Sequence, residues 1–150
     1  MIKIVAITIF VFSFQHLSAQ TTTDSVQKAV ELLFTAMHKS DTFLLRQSFT
    51  PAPILQTITK NKDGQIIVAD ETLDAFATSI SSYLPGSLDE RITIGAIHID
   101  GPLATVWTPY QFYFNGNFIH CGVNSFQLVR LNGIWKIQYI IDTRRSSNCD

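Results

Sequence analysis

The chain reads as an α+β protein in which three N-terminal helices pack on a curved antiparallel sheet. Two observations carry that reading. Apolar residues recur at helical spacing through much of the first half, whereas from Arg91 onward they alternate with polar ones at the period of a strand. In that second half Gly101-Pro102, Asn115-Gly116 and Asn132-Gly133 cut the chain into four long runs, as the turns of an antiparallel meander do.

The elements follow in order. Lys3, the largely apolar run Ile4 to Phe12 and the stretch Ser13 to Ala19 have the layout of a signal peptide over residues 1–19, cleaved after Ala19. That run is short of the roughly 20 apolar residues a spanning helix needs, and no cysteine near the cleavage point offers a lipid anchor. Residues 20–150 then form one domain, periplasmic or extracellular and without a membrane anchor. Asp24 stands as an N-cap, with Gln27 three residues on, for an amphipathic helix from about Ser25 to Lys39 carrying Val26, Val30, Leu33, Phe34 and Met37. Ser40 or Asp41 caps a short second helix with Phe43, Leu44 and Phe49, which ends at the break Thr50-Pro51-Ala52-Pro53. Ile54 to Thr59 and Gln65 to Ala69 form a hairpin about Asp63-Gly64. Asp70 caps a third helix that buries Leu73, Phe76, Ala77, Ile80 and Leu84 and stops at Pro85-Gly86. The meander strands run about Arg91 to Asp100, Leu103 to Phe114, Phe118 to Leu131 and Ile134 to Thr143.

Composition excludes several classes. With 46% hydrophobic and 15% charged residues the 150-residue chain is globular rather than disordered. Without Lys3 its net charge is −2, and Arg144-Arg145 is only a pair, so it lacks the basic footprint of a nucleic-acid binder. His38, His98 and His120 fall on separate elements and no His-x-Glu or Cys-x-x-Cys occurs, which gives no metal site. No Gly-x-Ser-x-Gly elbow or glycine-rich phosphate loop is present, and no cofactor is expected. Cys121 and Cys149 form a disulfide in an exported chain. A nucleophilic Cys121 with His120 as base fails, because neighbours on a strand point to opposite faces.

A two-residue turn at Asn132-Gly133 pairs Leu131 with Ile134 and puts His120, Asn124, Phe126, Leu128, Trp135, Ile137, Tyr139 and Ile141 on one face, assigned to the concave interior. His120 and Asn124 are its polar exceptions, suited to proton transfer or to anchoring a ligand. Asp142 then falls on the other face, where it pairs with Arg144 or with another chain at the rim; a bulge or a twist near the strand end is needed to bring it inward beside His120 as a general base. For the strand carrying Trp107, Tyr110 and Phe112 two registers stay open. A two-residue turn at Asn115-Gly116 puts Trp107 on the His120 face, and a three-residue loop puts Tyr110 and Phe112 there.

The order helix, short helix, hairpin, helix, long meander resembles the nuclear-transport-factor-2-like superfamily. Asp100-Gly-Pro-Leu-Ala-Thr-Val-Trp-Thr-Pro-Tyr110, His120-Cys-Gly122, Gly133-Ile-Trp-Lys-Ile137 and Asp142-Thr-Arg-Arg145 resemble its secreted bacterial lumazine-binding branch. The resemblance implies a cone with a pocket at its wide end, and a homodimer through the outer sheet face. The expected ligand is small and partly aromatic, met by Trp107, Tyr110, Phe112, His120, Asn124, Tyr139 and Arg144. The alternatives are a cofactor-free lyase or isomerase using His120 or Asp142, and a protein-interaction module using the outer aromatic face.

Overall fold

The computed structural model describes residues 17–149. Lys3 and the apolar run after it lie outside the described residues. Helix α1 spans Leu17–Lys39 and buries Val26, Val30, Leu33, Ala36 and Met37 along one stripe. It begins well before Ser25, so Asp24 lies inside it rather than capping it. Of the two candidate caps for α2 (Thr42–Ser48), Asp41 is used: its Oδ1 accepts from Leu44 N–H at 2.9 Å. Helix α2 buries Leu45 and Ser48 rather than Phe43, which is 71% exposed.

Phe49 is not helical. It opens strand β1 (Phe49–Lys60), which runs through the two prolines expected to break the chain. Proline lacks the N–H a ladder needs, and β1 has no paired register between Phe49 and Ile54. Strand β2 (Ile66–Glu71) returns after a turn in which Asn61 Oδ1 accepts from the N–H groups of Asp63 and Gln65. Helix α3 (Leu73–Ser81) is capped by Thr72, whose hydroxyl accepts from Ala75 N–H at 3.1 Å, and not by Asp70. Leu84 lies beyond α3 and is exposed.

The first meander strand is two strands, β3 (Leu88–Ile92) and β4 (Ala96–Asp100), both antiparallel to β5 (Leu103–Phe114). The gap lies opposite Pro109, and there Thr93 and Gly95 donate to the carbonyls of Pro109 and Trp107. Strands β6 (Asn117–Leu131) and β7 (Ile134–Arg145) complete the meander. The sheet order is β2-β1-β7-β6-β5-β3, with β4 also on β5; β1 runs parallel to β7 and every other pair is antiparallel. The hairpins at Asn115-Gly116 and Asn132-Gly133 have positive φ at both central residues, as two-residue turns between twisted strands require.

The helices cover one face of the sheet. Leu33, Leu45 and Ile80 meet Val106, Phe126, Leu128 and Ile137 in a single core. Phe34 meets Phe126 edge-on at 6.2 Å, and burying a ring of that size contributes roughly 2–3 kcal/mol. The three-helix, curved-sheet architecture expected from the sequence is the one observed. No helix among the described residues is long and apolar enough to cross a membrane.

Candidate functional site

Two one-residue irregularities decide which side chains face the cone. In the β6–β7 hairpin the pairing runs regularly from Leu131 opposite Ile134 to Leu128 opposite Ile137, then skips Gln138 so that Gln127 faces Tyr139. Beyond that bulge every side chain of β7 changes face. Ile140, Asp142 and Arg144 turn into the cavity, with Asp142 opposite Asn124, whereas Tyr139 and Ile141 leave it. The bulge is the condition under which Asp142 comes inward, and the expected outward orientation is corrected. The expectation for Tyr139 is also corrected; its hydroxyl bonds Gln56 Oε1 at 2.7 Å and it does not line the cavity.

The second irregularity resolves the open register of β5. The turn at Asn115-Gly116 has two residues, pairing Phe114 with Asn117, but Ile119 is then skipped so that Phe112 faces His120. The local turn chemistry and the apolar pattern are therefore both satisfied. Tyr110 and Phe112 share the cavity with His120, and Trp107 lies on the outer face, 50% exposed beside a shallow depression with His98 and Gln127.

Gly122 provides the close approach that packs the site. A Cβ there would lie 1.8 Å from the Thr143 carbonyl oxygen and 2.9 Å from the Tyr110 ring, so only glycine lets the phenol cross β6. The Tyr110 hydroxyl donates to Thr143 O at 2.9 Å, and it also lies 3.3 Å from His120 Nδ1 and 3.4 Å from Asp142 Oδ2. With its hydrogen on Thr143, the phenol oxygen accepts from His120 when Nδ1 carries the proton, a tautomer that leaves Nε2 as the acceptor of the ring.

The His120 ring stacks on Phe112 at 5.1 Å and meets Tyr110 edge-on. Burial, then the charge of Arg144, hold the imidazole below its ordinary value, against an opposing pull from Asp142. Asp142 is buried and well partnered: Thr57 Oγ1 donates to Oδ1 at 2.6 Å and Arg144 Nε to Oδ2 at 2.9 Å. The Asp142–Arg144 ion pair expected from the sequence is thus formed, inside the cavity. Asn124 donates from Nδ2 to Glu90 Oε1 at 2.9 Å. Burial pushes the Glu90 carboxyl up to about 7, only partly offset by that hydrogen bond. Glu71, at the cavity mouth, is raised above its ordinary value by partial desolvation and by Asp142, against an opposing pull from Arg144.

These side chains border a cavity of about 320 Å³ between the sheet and helices α1 and α3, walled by Phe34, Phe76, Tyr83 and Phe112. Tyr110, Phe112, His120, Asn124, Asp142 and Arg144 come together there. Glu90 and Glu71 were not foreseen. The signal for Glu90 was present: Leu88, Glu90 and Ile92 alternate with Asp89 and Arg91, which puts the glutamate on the apolar side of a strand that starts at Leu88. Cys121 and Cys149 are bonded, with Cα atoms 5.7 Å apart, and tie the C-terminal tail to β6. Among the described residues no three or more His, Cys, Asp or Glu side chains gather as metal ligands would.

Solved structures share this architecture. An NTF2-like protein of unknown function from Shewanella baltica superposes with a TM-score of 0.67 at 14% identity, over 88% of this chain and 100% of that one. Another from Silicibacter pomeroyi gives 0.67 at 16% identity, over 86% and 100%. A presumed dehydratase of the NTF2-like family from Streptomyces avermitilis gives 0.62 at 15% identity, over 87% and 100%. The chain therefore has the nuclear-transport-factor-2-like, cystatin-like fold. No family model matches the sequence, and no match was found among curated proteins.

Proposed function

We propose that this chain binds a small, partly aromatic molecule inside the cone. The observation that carries the reading is the cavity itself, about 320 Å³, open between sheet and helices with aromatic walls and a polar edge of Tyr110, His120, Asn124 and Glu90. A cone filled by its own side chains would have favoured a protein-interaction module. Export is part of the proposal, supported by the signal-like residues 1–19 and by the Cys121–Cys149 disulfide. So is a homodimer through the outer sheet face, where Trp107 and Leu103 are exposed.

Native mass spectrometry of the protein from its own host tests the reading. Extra mass that disappears on denaturation is the expected result. A clean unliganded species that also takes up no probe from an aromatic panel overturns it.

A second reading, a cofactor-free lyase or isomerase, is favoured by one arrangement. The Tyr110 hydroxyl lies within 3.4 Å of both His120 and Asp142, so an imidazole and a carboxylate share one proton-carrying group. The Streptomyces protein is described as a presumed dehydratase, which concerns that protein. A bell-shaped pH–rate profile lost in His120→Ala supports this reading, and unchanged turnover in both His120→Ala and Asp142→Asn removes it.

A further inference from the structure

The cavity holds more negative than positive charge. Glu71 on β2, Glu90 on β3 and Asp142 on β7 face it, against the single guanidinium of Arg144. That guanidinium is engaged already: Nε bonds Asp142 at 2.9 Å and a terminal N–H reaches Thr57 Oγ1 at 3.2 Å. His120 adds no compensating charge at neutral pH, since burial and Arg144 disfavour the imidazolium. Neither glutamate has an ion-pair partner among the described residues. Glu90 has one hydrogen bond, from Asn124, on one carboxyl oxygen.

Glu90, drawn out of water with no ion-pair partner among the described residues and only the already engaged Arg144 to offset its charge, is costly to ionise, and a cation arriving beside it relieves that cost. The surrounding walls are suited to the same visitor. Phe34 from α1, Phe76 from α3 and Phe112 from β5 bound the space with aromatic surface, which attracts organic cations as well as neutral rings.

We infer that the molecule bound in this cavity is an aromatic organic cation, an amine or amidine whose N–H groups are met by Glu90 and Glu71 and whose ring lies among Phe34, Phe76 and Phe112. The inference rests on the small-molecule reading above and narrows it. Asn124 is a positioning residue that holds Glu90 in place. Binding is linked to protons, because the cation favours ionised Glu90, so affinity rises with pH through about 7. The titratable and charged groups sharing the cavity with Glu90 are Glu71, Tyr83, Tyr110, His120, Asp142 and Arg144; the walls from α1 and α3 contribute none.

Calorimetric titration with naphthamidinium, naphthamide and naphthoate, one ring with three charges, tests this on the oxidised protein. At about pH 8 naphthamidinium binds about tenfold or more tightly than naphthamide, with naphthoate weakest. Glu90→Gln removes most of that preference and leaves naphthamide within about twofold, whereas Asp89→Asn, on the other face of β3, keeps it. In the unaltered protein the naphthamidinium affinity rises between about pH 6 and about pH 8, a readout that needs no variant to fold. Equal affinity for naphthamide and naphthamidinium, tightest binding of naphthoate, or a flat pH profile overturns the inference and leaves the small-molecule reading standing. No binding by any of the three, together with no retained mass in the native spectrum, overturns both.

Discussion

The Thr50 hydroxyl donates to Gln138 Oε1 at 3.0 Å, fastening the unpaired stretch of β1 to the skipped residue of β7. Gln138 Nε2 donates in turn to the Ala52 carbonyl at 3.1 Å. The proline-bearing irregularity of one strand and the bulge of its neighbour therefore occupy the same place in the sheet, and the side chain of the extra residue satisfies both. That bulge is what turns Asp142 and Arg144 into the cavity.

Gln138→Ala should keep the bulge and cost about 1–2 kcal/mol, the two hydrogen bonds lost, measured by urea denaturation. Deleting Gln138 should restore the regular register and swing Asp142 outward. Arg144 swings out with it, and because Arg144 depresses the His120 imidazole more than Asp142 raises it, the imidazole pKa is then expected to rise, read by NMR titration; an unchanged value would show that the register had not moved.

Stability should fall as pH rises from about 4.5 to about 7, because Glu90 titrates in the folded chain near 7 and in the unfolded chain near its ordinary 4.5. Below 4.5 the carboxyl is protonated in both states and its contribution is complete; above 7 it is ionised in both and the loss is finished. The change is of order 2–3 kcal/mol, and Glu90→Gln should abolish it. His120 acts in the opposite sense: with its folded value below the ordinary 6.5, its contribution is present above 6.5 and is lost as pH falls through the folded value. Denaturant midpoints at several pH values in both proteins separate the two.

Gly122→Ala should be among the most damaging single substitutions. The added methyl would lie 1.8 Å from a backbone oxygen, which cannot yield as a side chain end can, so a loss of about 3 kcal/mol or more is expected in the melting curve. Tyr110→Phe removes only the hydroxyl and should cost about 1 kcal/mol. A mild Gly122→Ala would mean that β6 and β7 separate there without penalty.

Reduction of Cys121–Cys149, which closes a separation of 28 residues, should lower stability by about 3–4 kcal/mol on the chain-entropy account. A Cys121→Ala/Cys149→Ala double variant should match the reduced protein in denaturant midpoint and be insensitive to reductant. A shift of under about 1 kcal/mol would show that packing alone holds the tail.

Much of the architecture was legible because its signals are local: the period of apolar residues marked α1, α3 and the meander, and Asn-Gly pairs marked two hairpin turns. Chain ends of elements were less so. By type Asp70 is the better cap, but it is paired with Gln56 in β2, and α3 starts after Thr72. The site was half legible. His120 and Asn124 follow from alternation, but Tyr110, Phe112 and Trp107 depend on the skipped Ile119, and Asp142 and Tyr139 on the skipped Gln138. A bulge leaves no compositional mark there, since neither residue is a glycine and each alone fits a strand. Its effect reverses every side chain beyond it.

The parallel pairing of β1 with β7 also sets an order of events. The hydrogen bond from Thr57 to Asp142 joins residues 85 positions apart. Until β7 has been synthesised, β1 has only β2 beside it, and such a two-stranded ribbon is marginal in water. The cavity therefore assembles late, after the ribosome has delivered β7, and a product truncated before Asp142 leaves an apolar strand edge open to other chains.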